Sequence, residues 1–371
     1  MRNDVLETLI LALTGNKPTN FDELHWRDVI RVARSADVVH RLSHTVLNSD
    51  FVDKLSDKVK ATCFSYNRHT QLFHNQVKYE YTKLQKDTQG IEFGHLTFLK
   101  GAAYVISDSQ AANGRIFSDI DILVDKPSLS VVERRLNLVG WVSMKGTDYD
   151  QNYYRKWSHE IPPLMHVQRK TVLDVHHNII PPVSGKTPNM ETLISSKVMK
   201  EGNFSVLSPA GMVLHSAVHL FFKEEFVFGF RDLSDIYLLV TENQHDDEFW
   251  RELKALSTKL GFEREVYLAL HFLTLIMGWV PVKESKVLFN SSGTGYLSSK
   301  ICDWMFLRIL RPKHKSVRLR GTEIAYFLGF VRGHMKKMSL GVLAYHVMYK
   351  GFSSFKYLIT GQKKRADLLE K

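Results

Sequence analysis

Cysteine is scarce in this chain of 371 residues, which contains only Cys63 and Cys302. Disulfide-stabilised domains and zinc-bound frameworks need several cysteines at short, regular intervals. The two cysteines lie far apart and without such spacing. We therefore expect no disulfide partner, no zinc framework and a reducing compartment.

Long hydrophobic runs are also missing. The longest run, residues 266–280, is interrupted by His271, Thr274 and Gly278, whereas a membrane-spanning helix needs about 20 consecutive apolar residues. The first seven residues are acidic and helical in character, unlike a basic and apolar secretory signal. These features predict a buried helix at 266–280 and a cytoplasmic protein. Repeats, low-complexity tracts and the Gly-x-Gly-x-x-Gly fingerprint of dinucleotide-binding folds are absent too.

Positive charge is concentrated at the C-terminal end. Residues 301–371 contain 15 Lys and Arg against four Asp and Glu, so this segment carries the whole net charge of +11. Aromatic residues are interleaved with the basic ones. Such a mixture suits single-stranded nucleic acid or an anionic membrane surface, which would place the protein peripherally at the membrane. Both partners stay open, as does a basic face that contacts only water.

Hydrophobic periodicity divides the chain into four parts. Residues 1–88 show the spacing of amphipathic helices, for example at Leu6, Leu9, Ile10 and Leu13. Residues 89–185 combine strand and helix patterns, and residues 186–300 return to helical periodicity. Residues 301–371 form a basic, aromatic-rich helical tail. The sequence therefore predicts a mostly helical α+β protein whose small mixed sheet lies between helical regions.

Two aspartates alternate with aliphatic residues in the stretch 119–124. Successive strand residues point to opposite faces, so Asp119 and Asp121 share one face while Ile120, Ile122 and Val124 pack on the other. The two carboxylates are about 7 Å apart along a strand and can converge on a hard cation such as Mg²⁺. A half-exposed strand with two solvated aspartates is the alternative.

A turn with Lys100 and Gly101 precedes this strand and opens a short helix. Glycine lets the backbone approach a ligand closely, and a helix N-terminus offers free N–H groups to an anion. An anion-binding turn beside paired carboxylates favours phosphoryl chemistry, in which a metal ion bridges the acids and the phosphates.

A third acid lies on a predicted hairpin. Residues 164–167 and 172–175 flank a polar turn, and on the second arm Val172, Asp174 and His176 share one face. Two further pairs have helical spacing. His215 and His219 are four residues apart, where packing is favoured over a metal site, and Arg231 and Asp235 are placed to form an ion pair.

These motifs resemble the uncharacterised nucleotidyltransferase family of the DNA polymerase β superfamily. The resemblance rests on residues 99–103, the Arg115 to Val124 segment and residues 173–176, and it extends to residues 26–33 and 231–235. It covers roughly residues 20–240. Two departures stand out. Ala102 follows the glycine where the superfamily commonly has Ser or Gly, and Asp174 replaces the usual glutamate of the third motif.

The resemblance implies a nucleotidyltransferase core with flanking helical regions and metal-dependent transfer of a nucleoside monophosphate from an NTP such as ATP. Asp119, Asp121 and Asp174 would bind Mg²⁺ or Mn²⁺ and act in catalysis. Three residues would contact the nucleotide and three would support the site: Lys100, Gly101 and Arg115 in the first group, and His176, Arg231 and Asp235 in the second. The acceptor is not specified: a sugar phosphate, an RNA end and a protein side chain stay open. The alternative is a catalytically inactive protein of this fold that binds RNA or an anionic membrane through its basic tail.

Overall fold

Four helices form the N-terminal region of the computed structural model, which describes residues 4–145, 148–289 and 296–337. They are α1 (Asp4–Leu13), α2 (Glu23–Ser35), α3 (Val39–Leu47) and the long α4 (Asp57–Asp87). Asp22 begins α2 by accepting hydrogen bonds from the N–H groups of Leu24 and His25. The apolar faces of these helices bury side chains such as Trp26 and Val29, as their periodicity predicts.

A mixed sheet of seven strands lies at the centre, in the order β3-β4-β5-β2-β1-β7-β6. Strand β2 pairs in parallel with β5 and antiparallel with β1, and β1 pairs in parallel with β7. The strands are β1 (Leu96–Phe98), β2 (Asp119–Val124), β3 (Trp141–Ser143), β4 (Leu164–His166), β5 (Val172–His176), β6 (Val198–Met199) and β7 (Phe204–Val206). The acid-bearing strand β2 is thus interior to the sheet, and the predicted fold class is confirmed.

The hairpin predicted from residues 164–175 is present as β4 and β5, which pair antiparallel. Strands β6 and β7 were not predicted, and they lie inside the range 186–300 that the sequence assigned to helices. They contain only two and three residues, too few to display a two-residue periodicity. Strand β7 is fully buried beside β1, so tertiary packing rather than local pattern defines it.

Helices cover the sheet and build the C-terminal half. Ser208 begins the central helix α9 by accepting from the Gly211 N–H, with proline at the next position. Nearly every side chain of α9 is buried, so the other C-terminal helices pack around it. The helices are α5 (Lys100–Ile106), α6 (Leu129–Leu138), α7 (Asp148–Trp157), α8 (Met190–Ile194), α9 (Pro209–Phe222), α10 (Gly229–Asn243), α11 (Asp247–Leu260), α12 (Glu263–Phe272), α13 (Lys286–Phe289), α14 (Tyr296–Ile309) and α15 (Thr322–Lys337).

The apolar run at 266–280 belongs to α12 and to the π-helical turn Leu273–Met277, both largely buried, as predicted. Within the part of the chain that the structure describes, every helix is too short or too polar to cross a bilayer. The predicted basic tail begins with α14, whose Phe306 and Ile309 are fully buried in the core. Its second half, residues 338–371, lies outside the described residues.

Candidate active site

The three aspartates predicted from the sequence meet on two neighbouring strands. Asp121 of β2 and Asp174 of β5 are register partners, and Asp119 lies two residues earlier on the same face of β2. One carboxylate oxygen from each of the three lies within 4.8 Å of the others. The strand register therefore brings the three acids together, and the Asp174 side chain, although shorter than that of glutamate, is long enough to join the other two.

Asp121 is the best-anchored of the three acids. Its Oδ1 lies 2.6 Å from Lys100 Nζ and 2.9 Å from His176 Nε2, and all three side chains are largely buried. Burial alone would favour the protonated acid, but Lys100 and His176 outweigh it and hold the pKa of Asp121 well below its usual range. The same contact raises the pKa of the Lys100 amine above its ordinary value, against the effect of burial. Asp121 is thus a charged carboxylate that accepts hydrogen bonds from Lys100 and His176.

Asp174 has the opposite environment. Burial, together with the negative charges of Asp121 and Glu160, raises the pKa of Asp174 to about 8. Its Oδ1 atom is buried and makes no hydrogen bond to any described residue. A buried carboxylate oxygen without a partner is costly in a folded protein. Asp174 therefore lacks the direct contacts to Lys100 and His176 that hold Asp121 in its charged form.

Lys100 and Gly101 open helix α5 next to the triad, as expected. The Lys100 amine binds the Asp121 carboxylate, and the Lys100 backbone has the left-handed conformation with φ of 47°. At Gly101, an added Cβ would lie 2.3 Å from the ring of Phe117. Glycine is required at this position because the Phe117 ring packs directly against the start of the helix.

The predicted ion pair between Arg231 and Asp235 is wrong, because each residue has closer partners. Arg231 binds Asp232, with Nη2–Oδ1 at 3.1 Å, and Asp37, with Nη1–Oδ2 at 2.6 Å. Asp235 lies between two buried arginines from other elements. Its Oδ2 is 3.0 Å from Arg115 Nε, and its Oδ1 is 2.8 Å from Arg41 Nη2. Arg115 and Asp235 are thus brought together at the site, by a contact that helical spacing does not reveal.

A cavity of about 260 Å³ connects these groups. Its walls are strand β2 with the loop before it, the start of α5, part of α9 and the first turns of α10. The acids of β2 lie on one side, and the arginine–aspartate pairs lie on the other. Phe228 is half-exposed, and the Arg231 guanidinium lies 4.5 Å from its ring centre. The lining residues are Lys100, Gly101, Tyr104, Arg115, Phe117, Ser118, Asp119, Asp121, Ser216, His219, Phe228, Arg231, Asp232 and Asp235.

The two histidines with metal-like spacing do not belong to a metal cluster within the described residues. His215 and His219 lie on α9 with their ring centres 6.5 Å apart. Burial lowers the pKa of His215 to about 3 and that of His219 well below its ordinary value. His215 is a buried packing residue, whereas the side chain of His219 is partly exposed and lines the cavity.

Several residues at the site escaped the sequence analysis. Glu160 faces His176, with Oε2 3.4 Å from Nδ1, and Asp232 forms ion pairs with Lys223 and Arg231. Arg41 reaches the site from helix α3. Asp232 falls within the motif quoted at 231–235, but Glu160 and Arg41 carry no local signal because only tertiary packing brings them here.

Three carboxylates on paired strands, beside a glycine-containing turn, are the arrangement that the resemblance to nucleotidyltransferases implies. The chain matches the family model described as "Uncharacterised nucleotidyltransferase" over residues 22–278. The match covers more than half of the chain, so the protein belongs to this family. It runs from α2 to the π-helical turn after α12 and includes all seven strands and every residue of the acid triad. No curated protein and no solved structure matches the chain.

Proposed function

We propose that this protein transfers a nucleoside monophosphate from an NTP to an acceptor, with Mg²⁺ or Mn²⁺ bound by Asp119, Asp121 and Asp174. One observation carries the proposal: three carboxylates contribute oxygens within 4.8 Å of one another, and two of them, Asp119 and Asp121, line a cavity that also contains arginines. Membership of the nucleotidyltransferase family supports the same reaction class.

The donor set fits a hard divalent cation. All three ligands are carboxylates, which Mg²⁺ and Mn²⁺ prefer, and the buried Oδ1 of Asp174 has no protein partner among the described residues. When bound, the metal supplies charge neutralisation for the phosphates and alignment of the attacking and leaving oxygens.

The protein side chains have separate roles in this proposal. Asp119 and Asp121 hold the cation that accompanies the triphosphate, and Asp174 completes the second position and accepts the acceptor proton. His176 keeps Asp121 oriented through the 2.9 Å contact to Oδ1. Lys100 and Arg231 bring positive charge to the cavity where the phosphates bind.

A second groove offers a place for the acceptor. Asp119 lines both the main cavity and a groove of about 120 Å³ between α4 and the β4–β5 turn. In phosphoryl transfer the attacking and leaving oxygens are roughly in line, so they lie on opposite sides of the reacting phosphorus. The main cavity has most of the cationic groups and suits the triphosphate. The smaller groove, with Phe73, Gln76 and Lys170 in its wall, suits an acceptor such as a sugar phosphate, an RNA end or a protein side chain.

Helix α15 provides a candidate membrane-facing surface. Ile324, Phe327 and Met335 have 59–64% of their surface exposed, and the exposed Lys313 and Lys315 precede the helix. Exposed apolar side chains next to basic ones favour an anionic lipid surface over RNA, because lipid binding uses apolar contact as well as charge. We propose a peripheral membrane location on this basis.

The transfer reaction is tested by incubating the purified protein with each NTP carrying a labelled α-phosphate, with Mg²⁺ or Mn²⁺ and cell extract. We expect label in a macromolecular or small-molecule fraction with the wild type and none with Asp119→Asn. An inactive binding protein would retain the NTP and label nothing. The fraction that becomes labelled identifies the acceptor class.

A further inference from the structure

A second cluster of metal-binding side chains lies beside the acid triad but shares no residue with it. The cluster consists of His159, Glu160 and His176, which contribute ligand atoms within 4.8 Å of one another. Its backbone is well fixed. Glu160 forms a bridge with His176. On one side of it the Ile161 N–H donates to Val175 O at 3.0 Å, and on the other side the His159 carbonyl accepts from the His177 N–H at 2.8 Å. The three side chains therefore converge from two hydrogen-bonded segments.

His159 has an unsatisfied nitrogen in this cluster. Its Nδ1 atom is buried and makes no hydrogen bond to any described residue. Burial and the nearby His176 lower the pKa of His159 well below its ordinary value, so the ring is neutral and one of its nitrogens offers a lone pair. An orphaned buried nitrogen of this kind is a candidate ligand.

His176 is already oriented by its other nitrogen. Nε2 lies 2.9 Å from Asp121 Oδ1 and is the donor in that bond, which leaves Nδ1 directed at Glu160 with Nδ1–Oε2 at 3.4 Å. A second proton on His176 would satisfy Glu160 but would leave His159 Nδ1 without a partner. A cation among the three groups would satisfy all of them. Metal-bound histidines typically donate their second N–H to a carboxylate, as His176 does here.

We propose that His159, Glu160 and His176 form a separate site for a transition-metal ion of the Zn²⁺ class. Two imidazole nitrogens and one carboxylate oxygen are a donor set that Zn²⁺ favours over Mg²⁺. This site needs no cysteine. Because His176 joins it to Asp121, an ion bound here would hold the Nε2–H on Asp121 and thereby fix the orientation of a member of the acid triad. The proposal does not depend on the transfer reaction.

Zinc binding to the full-length protein tests the site directly. Protein treated with a chelator is titrated with ZnCl₂ in excess MgCl₂, which competes for the three aspartates, and bound zinc is measured by calorimetry and elemental analysis. We expect one Zn²⁺ per chain, an affinity at least about tenfold lower in His159→Gln, and a higher Tm for the zinc-loaded wild type. The matched control is His177→Gln, which changes a neighbouring histidine outside the cluster and should keep the zinc affinity.

Two further variants keep the outcome decisive. Glu160→Gln removes a partly exposed ligand, so it tests the site even where His159→Gln is poorly folded. Asp119→Asn should leave zinc binding unchanged because Asp119 belongs only to the triad. Absence of zinc binding in the wild type would overturn the proposal. So would equal zinc affinity in wild type and Glu160→Gln, or loss of zinc in Asp119→Asn alone.

Discussion

Asp121 and Asp174 are register partners on adjacent parallel strands, yet their carboxylates have opposite electrostatic surroundings. Lys100 and His176 hold the pKa of Asp121 well below its ordinary value, whereas burial raises the pKa of Asp174 to about 8. The pair therefore has positive partners on one side only. A divalent cation on the other side would complete the arrangement, and the first two predictions test this.

Asp119→Asn should abolish the thermal response to metal and nucleotide. Ligand at 100 times its Kd stabilises the folded state by about 2.7 kcal/mol, so Mg²⁺ with NTP should raise the wild-type Tm by several degrees. Asp119 is the best choice of the three acids because its one side-chain hydrogen bond among the described residues is to neighbouring Ser118. Differential scanning fluorimetry gives the readout, with the exposed Asp108→Asn as control. A wild-type shift in Asp119→Asn would remove this residue from the metal site.

Asp174→Asn should separate catalysis from nucleotide binding. We expect turnover to fall by several orders of magnitude while the affinity for NTP stays near the wild-type value, because the proposed role of Asp174 is in the second metal position and in proton transfer. The fold should be retained, since Asp174 makes no ion pair among the described residues that the substitution would break. Single-turnover kinetics and equilibrium binding measure the two effects. Wild-type turnover would show that β5 carries no catalytic acid.

The acid pair on β2 could be predicted from local pattern, because the alternation of Asp119 and Asp121 with Ile120 and Ile122 defines a strand and its polar face. Asp174 is different. Its own strand is evident from the sequence, but the pairing of β5 with β2 depends on sheet order, which the family resemblance supplied. Residues that determine the charge of the site, such as Arg41, come from distant elements and follow from no periodicity.

The Arg231–Asp235 error has the same physical origin. Helical spacing places the two residues on one face of α10, but the ion pairs depend on which charged groups of the whole fold lie nearest to each side chain. Arg231 finds Asp232 and Asp37, and Asp235 finds Arg115 from the loop before β2. The partners of Asp235 are buried arginines from other elements, Arg41 and Arg115, so tertiary packing and not helical spacing determines which ion pairs form.

Asp235→Ala should be strongly destabilising, because it leaves Arg41 and Arg115 as buried charges without their shared carboxylate. Breaking a buried ion pair costs about 3–5 kcal/mol, and the side chains of Arg41, Arg115 and Asp235 are all at least 92% buried. Urea denaturation should show this loss in the free energy of unfolding. The control, Asp108→Asn, affects an exposed pair with Lys78 and keeps a residue type that tolerates the left-handed backbone of this position. It should change stability by less than about 0.5 kcal/mol. Similar stabilities for the two variants would contradict a structural role for the Arg41–Asp235–Arg115 contacts.

Gly101→Ala should destabilise the protein through its clash with Phe117. The added Cβ would lie 2.3 Å from a ring carbon, and overpacking of this kind costs about 1–3 kcal/mol. Phe117→Leu in the same chain should recover part of the loss, which a double-mutant cycle measures as a coupling energy. Additive effects of the two substitutions would mean that the glycine is required for another reason.

Charge reversal before helix α15 should weaken binding to anionic membranes. Each Lys or Arg near such a surface contributes about 1 kcal/mol, so Lys313→Glu, Lys315→Glu and Arg320→Glu together should lower the affinity for phosphatidylserine-containing vesicles by about a hundredfold or more. Vesicle co-sedimentation gives the measurement. All three side chains are exposed, so the variant should fold normally, whereas truncation at residue 301 would remove the buried Phe306 and Ile309.

The apolar face of α15 distinguishes a membrane partner from RNA. Phe327→Ser should weaken vesicle binding, especially in high salt, because the exposed ring of Phe327 adds an apolar contribution to binding that salt does not screen. RNA binding would instead fall steeply with salt in the wild type and the variant alike. Matched reversals at the exposed Lys86, Lys126 and Lys259, which lie on other elements, should leave vesicle binding intact. If they weaken it as much as the α15 set does, the interaction depends on net charge alone and this surface has no specific role.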